Sequence, residues 1–350
     1  CGDAVNYTAA EAPSSGFPST NLCSSMEHST AKVYQRGSRE FWVLAAVLAV
    51  LIGIAAFWGA NKQAIGMFHD DGIYTVVAKS LHQGEGYRII SLPAAPSQTK
   101  YPFLYSYVLS WIWSLNPNFP QNIVAFKALN VFALIGIFFL SLVFYQRQYG
   151  VFGIGAIVFS LLVCANPVIF TFTDYVISDL LFVLLALAAL TIAVSNQQRP
   201  ARMVTVLLLG IVTGLACLTR LAAAPLVLSG SLYCYSQRRW RGLVGFVGII
   251  ALFIAPWFLW TAHVLQPAPD SLFAYYAKYD FTGAGMSEFG ASLRPHWPVV
   301  SGNARYLVDS LETLYLTPLL PGLNLFVFGL TLVGMIKSLH REELFRWVFF

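Results

Sequence analysis

The residues able to do chemistry are few in this sequence, and they lie at the edges of long apolar runs. The first group is an adjacent acid pair, Asp70-Asp71, just past the first apolar run and followed by Gly72 and Tyr74. A carboxylate at that position can take a proton from an acceptor hydroxyl, although two adjacent acids also suit a solvated turn. Lys100 opens an aromatic-rich segment, 101–115. At a helix start, free amides and the helix dipole favour anions, so a lysine there can hold a phosphate; the alternative is a lysine snorkelling to the interface. Arg220 lies between two apolar runs with Thr219 and Leu221 as its flanks. An arginine at such depth is costly unless it faces a cavity and meets an anion, and a phosphate is an anion it can grip with two hydrogen bonds. Its alternative is to close a hairpin at the interface. Asp174 and Asp179 precede another apolar run. With Asp70 and Asp71 they could bind a divalent cation, a reading we do not favour; otherwise Asp174 is a loop acid and Asp179 a helix-start acid favoured by the dipole. No cofactor or metal is expected.

The elements that must position these residues are membrane helices. The 350 residues are 57% hydrophobic and 11% charged, against about 25% charged in an average soluble domain. A bilayer core needs about 20 apolar residues in a helix, and runs meeting or approaching that length occur at 41–60, 126–145, 151–170, 177–194, 203–218, 221–235, 243–264 and 322–338, with another starting near 344. None alternates apolar with polar as a barrel strand would. Residues 1–40, rich in Ser, Thr, Ala and Pro, read as a disordered tail, and 41–350 as one transmembrane domain. Cys1 in place of a start Met and the apolar stop at Phe350 point to truncation at both ends. The five cysteines show no metal or disulfide spacing. No basic stripe interleaved with aromatics suggests nucleic acid as a partner.

Segment 101–115 is short for a span, rising only about 22 Å, and its Tyr and Trp content suits an interfacial helix. With that assignment the tail, Arg147, the 195–202 loop, the 236–241 loop and the 337–346 loop share one side, as the positive-inside rule requires. The N-terminus is then cytoplasmic, in a plasma or inner membrane. Every acid between Glu40 and Glu342 falls outside, and two of the outside segments, 61–125 and 265–321, are long. Extended loops on one face indicate work on that face.

Taken in order, the motifs carry a resemblance. Asp70, Asp71 and Tyr74 are followed by Ala78, Leu81, Gly84, Gly86 and Tyr87, then by Lys100, Pro102, Leu104 and Tyr105. This pattern resembles the first outer loop of the GT-C glycosyltransferases, in the branch holding aminoarabinose transferases and protein O-mannosyltransferases. Phe172 to Leu181 is similar to that family's second outer loop, and Gly214 to Arg220 to its turn between the fifth and sixth spans. The chain departs in carrying Asp at a usual Glu position, and Lys-Tyr-Pro where Lys-Pro-Pro is common.

The resemblance implies an all-α polytopic fold, a GT-C-like helical bundle with interfacial helices in the first outer loop. It implies an enzyme that moves a sugar from a polyprenyl-phosphate carrier to a lipid, glycan or protein acceptor on the outer face. Asp70 would be the base, Asp71 an orienting partner or second acid, and Lys100 and Arg220 the grip on the lipid phosphate. Tyr74, Tyr105, Asp174 and Asp179 complete the substrate-binding set. Two rivals are a secondary transporter, disfavoured because no paired repeats are visible and the acids lie at helix ends, and a non-catalytic membrane scaffold with a related fold.

Overall fold

The structure is a computed structural model that describes residues 38–62, 64–150, 152–195 and 202–264, together with Gly329 and Val333. The expected tail, the loop 265–321 and the runs from 322 onward lie outside the described residues. Among the described residues the protein is helical, without strands. Its helices are α1 (Arg39–Gly59), α2 (His69–His82), α3 (Leu104–Leu115), α4 (Ile123–Tyr149), α5 (Ile154–Cys164), α6 (Pro167–Thr171), α7 (Asp179–Ser195), α8 (Met203–Thr219) and α9 (Ala224–Val264), with a 3₁₀ turn at Leu221–Ala223 between the last two. Arg39–Gly59, Ile123–Tyr149 and Trp240–Val264 are long and apolar enough to cross a membrane, and the chain is an integral membrane protein. The all-α polytopic class expected from the sequence is the observed one.

Local chemistry explains the element ends. Ser38 caps α1 by accepting the Phe41 amide at 3.2 Å. One stripe of α1 is made of small residues, Ala45, Ala49, Gly53 and Ala56, all buried, and it packs against α4: a Cβ on Gly53 would lie 2.8 Å from the Ile135 side chain. The opposite face shows Val47, Leu51, Ile54 and Trp58 to the surroundings, as a lipid-facing helix should. α4 ends at Gly150, whose φ of 82° is the left-handed C-cap conformation that glycine adopts without strain.

One expectation changes. The apolar run 151–170 is not one helix. Asn166 accepts the Val168 and Ile169 amides, and Pro167 opens a new short helix, so α5 stops at Cys164; Pro lacks the amide that would continue the ladder. The runs 221–235 and 243–264, expected as two segments joined at 236–241, lie in the 3₁₀ turn and α9, which is folded on itself between them. A Cβ on Gly230 would overlap the Phe246 ring, whereas sixteen residues of straight helix would separate them by about 24 Å. The chain therefore doubles back ahead of the Trp240–Val264 span.

The first loop carries α2 and α3, packed on each other through Tyr74, Val77, Ala78, Tyr105 and Leu109. Between them the chain makes a compact hydrogen-bonded excursion. Gly84 and Gly86 turn it with positive φ. The Ile89 amide then donates to Pro96 O at 2.9 Å and the Gln98 amide to Tyr87 O at 3.0 Å. This excursion delivers residues 100–102 to the side of α2.

Candidate functional site

One cavity of about 300 Å³ is lined by Asp70, Tyr74, Lys100, Tyr101, Pro102, Thr219, Arg220, Leu221 and Ala222. Three stretches of chain build it: the first turn of α2, the end of the excursion before α3, and the corner between α8 and α9. Four residues singled out in the sequence thus line one space.

The acid pair is divided by helix geometry. The sequence suggests a turn, but His69 to Asp71 form the first turn of α2. Consecutive residues on a helix point about 100° apart, so Asp70 lines the cavity while Asp71 turns inward and is 1% exposed. Asp71 Oδ1 accepts the Gly66 amide at 2.8 Å, and its carbonyl accepts the Thr75 hydroxyl. Burial pushes the Asp71 carboxyl above its usual range, and the Gly66 amide offsets this only in part. A carboxyl whose folded pKa is raised binds its proton more readily folded than unfolded, so stability falls as pH rises from about 3.8 through the folded value. Asp71→Asn keeps an acceptor for Gly66 and removes the buried charge. Its melting temperature at pH 7 is expected to match or exceed that of the parent, the difference closing below pH 3.8.

Asp70 Oδ1 accepts the Tyr101 hydroxyl at 2.5 Å. Lys100 was expected at the start of the interfacial helix, but α3 begins at Leu104. Lys100 instead stands in the preceding loop, its Nζ 5.4 Å from the centre of the Tyr101 ring.

Arg220 is the C-cap of α8, with extended backbone at φ −151° and ψ 140°. Its guanidinium pairs with Asp179 Oδ2. Asp179 is the first residue of α7, so the facing ends of two helices hold this pair beside the cavity. Tyr74 shares a 2.9 Å hydrogen bond with the Ser178 hydroxyl, tying α2 to the same helix start, and burial pushes its own hydroxyl well above the ordinary range.

Asp174 and Tyr105 do not line the cavity. Asp174 accepts from Lys127 Nζ at 2.9 Å and from the Asn61 amide at 2.7 Å. Lys127 also donates to Asn61 O. These contacts fasten the end of α1 to α4 and to the chain before α7. Tyr105 is fully buried and donates to Asn130 Oδ1 at 3.2 Å. Asn130 Nδ2 in turn donates to Tyr175 O at 2.6 Å. The four acids therefore do not converge, and no group of three metal-ligating side chains is found among the described residues.

Sequence reasoning missed Lys127 and Tyr101. Lys127 had a usable signal, since a lysine inside an apolar run must have a partner. Tyr101 had none, because its bond to Asp70 joins residues 31 apart.

No family model and no curated protein matches the sequence. Among solved structures the chain is similar to ArnT from Cupriavidus metallidurans bound to undecaprenyl phosphate, with 16% identity and a TM-score of 0.52. The match covers 69% of this chain and 44% of that one, so the chain spans less than half the length of its structural neighbour. What the two share is the fold, and this protein has the polytopic helical architecture of the GT-C type.

Proposed function

We propose that the cavity is the transfer site of a glycosyltransferase, which moves a sugar from a polyprenyl phosphate to an acceptor hydroxyl on a lipid, glycan or protein at the non-cytoplasmic face. One observation carries this reading: a carboxylate and two cations, Asp70, Lys100 and Arg220, line a single space although they are remote in sequence. Its volume is at the low end for ligand pockets, roughly 300–1,000 Å³. That suits a sugar phosphate headgroup whose hydrocarbon tail stays in the lipid. The undecaprenyl phosphate bound to the structural neighbour supports the same donor class.

In this mechanism the acceptor oxygen attacks the anomeric carbon while the bond from that carbon to the phosphate oxygen breaks. The electron pair leaves on the phosphate, where Lys100 and Arg220 stabilise the added charge in a water-poor site. The acceptor proton passes to Asp70. A single direct displacement inverts the anomeric configuration. Asp179 holds Arg220 in place without occupying the cavity wall.

The test is transfer of a radiolabelled sugar from a polyprenyl-phosphate donor by the purified protein in lipid. Absence of both transfer and donor binding would remove the reading. Arg220→Lys keeps the charge and a partner for Asp179 but loses the planar fork. Donor affinity is expected to fall about tenfold or more, the worth of one charge-assisted hydrogen bond, as read by titration with the lipid phosphate.

A further inference from the structure

We propose that Tyr101 is a positioning residue for Asp70, setting the plane of the carboxylate toward the acceptor. This inference rests on the proposed role of Asp70 and adds a residue to it. The Tyr101 hydroxyl donates to Asp70 Oδ1 at 2.5 Å, the length of a charge-assisted O–H···O⁻ bond, which is about twice as strong as a neutral one. Both residues line the cavity.

Tyr101 is itself held so that its hydroxyl cannot wander. The residue is 6% exposed. Its ring lies 5.1 Å from the ring of Tyr74 on a buried face of α2. The buried Tyr87 hydroxyl shares its hydrogen between the Tyr101 carbonyl at 3.0 Å and the Pro102 carbonyl at 3.3 Å. Tyr87 in turn packs edge-on against Trp257, with ring centres 5.6 Å apart, so α9 supports the backbone at 101 from behind. Lys100 Nζ stands 5.4 Å from the centre of the ring, within reach of an attraction to its face. A base whose plane is fixed before the acceptor arrives meets the hydroxyl proton in line, which is the geometric requirement for general-base catalysis.

The experiment compares Tyr101→Phe, Tyr87→Phe and Asp70→Asn in the full chain reconstituted in lipid, with a polyprenyl-phosphate sugar as donor. Tyr101→Phe should lower kcat about 10- to 100-fold and leave the donor KM within twofold. Tyr87→Phe keeps the Tyr101 hydroxyl but loosens the backbone at 101, so kcat should fall by less than in Tyr101→Phe. In an Asp70→Asn background, Tyr101→Phe should cause no further loss. Full kcat in Tyr101→Phe, with Asp70→Asn inactive, overturns the positioning role and leaves the proposed function intact. Equal losses in the two tyrosine variants, or an additive loss in the Asp70→Asn background, assign Tyr101 to scaffolding and also overturn it. An active Asp70→Asn enzyme removes the base and with it the positioning role, while its transfer of sugar leaves the proposed function standing.

Discussion

Asp70→Asn should lower sugar transfer by about 10²- to 10⁴-fold, the range supplied by a positioned general base, while donor-lipid affinity stays within twofold. Asparagine has the same shape and still offers Oδ1 to the Tyr101 hydroxyl, so the loop 100–102 keeps its support. It cannot accept the acceptor proton. Donor binding is spared because Lys100 and Arg220 are untouched. The measurement is single-turnover transfer alongside equilibrium binding of the lipid phosphate. Transfer within threefold of the parent would take the base role from Asp70.

The second large effect concerns stability. Lys127 is 3% exposed at its side chain and its carboxylate partner is Asp174. Removing one member of a fully buried pair costs about 3–5 kcal/mol; Asp174 is 28% exposed at its side chain, so the cost here is expected to fall below that range. Asp174→Ala should lower the unfolding midpoint and free the end of α1 from the chain before α7, since Asp174 also accepts the Asn61 amide, while Lys127 still donates to Asn61 O. The double variant Lys127→Met with Asp174→Leu should recover most of the loss, because an apolar pair of similar volume is often neutral. Thermal unfolding in detergent reads both. An unchanged midpoint in Asp174→Ala would mean that Lys127 finds another partner.

Much of the scaffold was legible from apolar length. The runs 41–60, 126–145, 177–194 and 203–218 correspond to α1, α4, α7 and α8 within a few residues. The failures have particular causes. Run 151–170 looks continuous because hydropathy does not register that Pro167 lacks an amide, and the break between α5 and α6 follows from that atom. The helical character of His69 to Asp71 was hidden because no Ser, Thr, Asp or Asn caps α2; its N-cap is Phe68. Of the candidate site, residue type and depth singled out Arg220 and Asp70, and both line the cavity. Asp174 looked like their equal in the sequence because its partner, Lys127, is 47 residues away. The opposite facings of Asp70 and Asp71 depend on the helix phase, which a loop reading could not supply.

Both α7 and α8 contain 17 residues. Each rises about 26 Å, a few ångströms short of the hydrocarbon slab they would have to cross, about 30 Å. On the proposed function, the guanidinium of Arg220 and the carboxylate of Asp179, at one shared end, would sit recessed beneath the polar boundary. A charged headgroup tethered to a long isoprenoid would then meet them by sideways diffusion, its tail never leaving neighbouring chains, while a water-borne sugar nucleotide would have to descend to the same level without an anchor. Recession of this kind would tie substrate choice to membrane thickness, so that the same protein in a thicker bilayer would draw its lipid partner deeper or tilt to compensate.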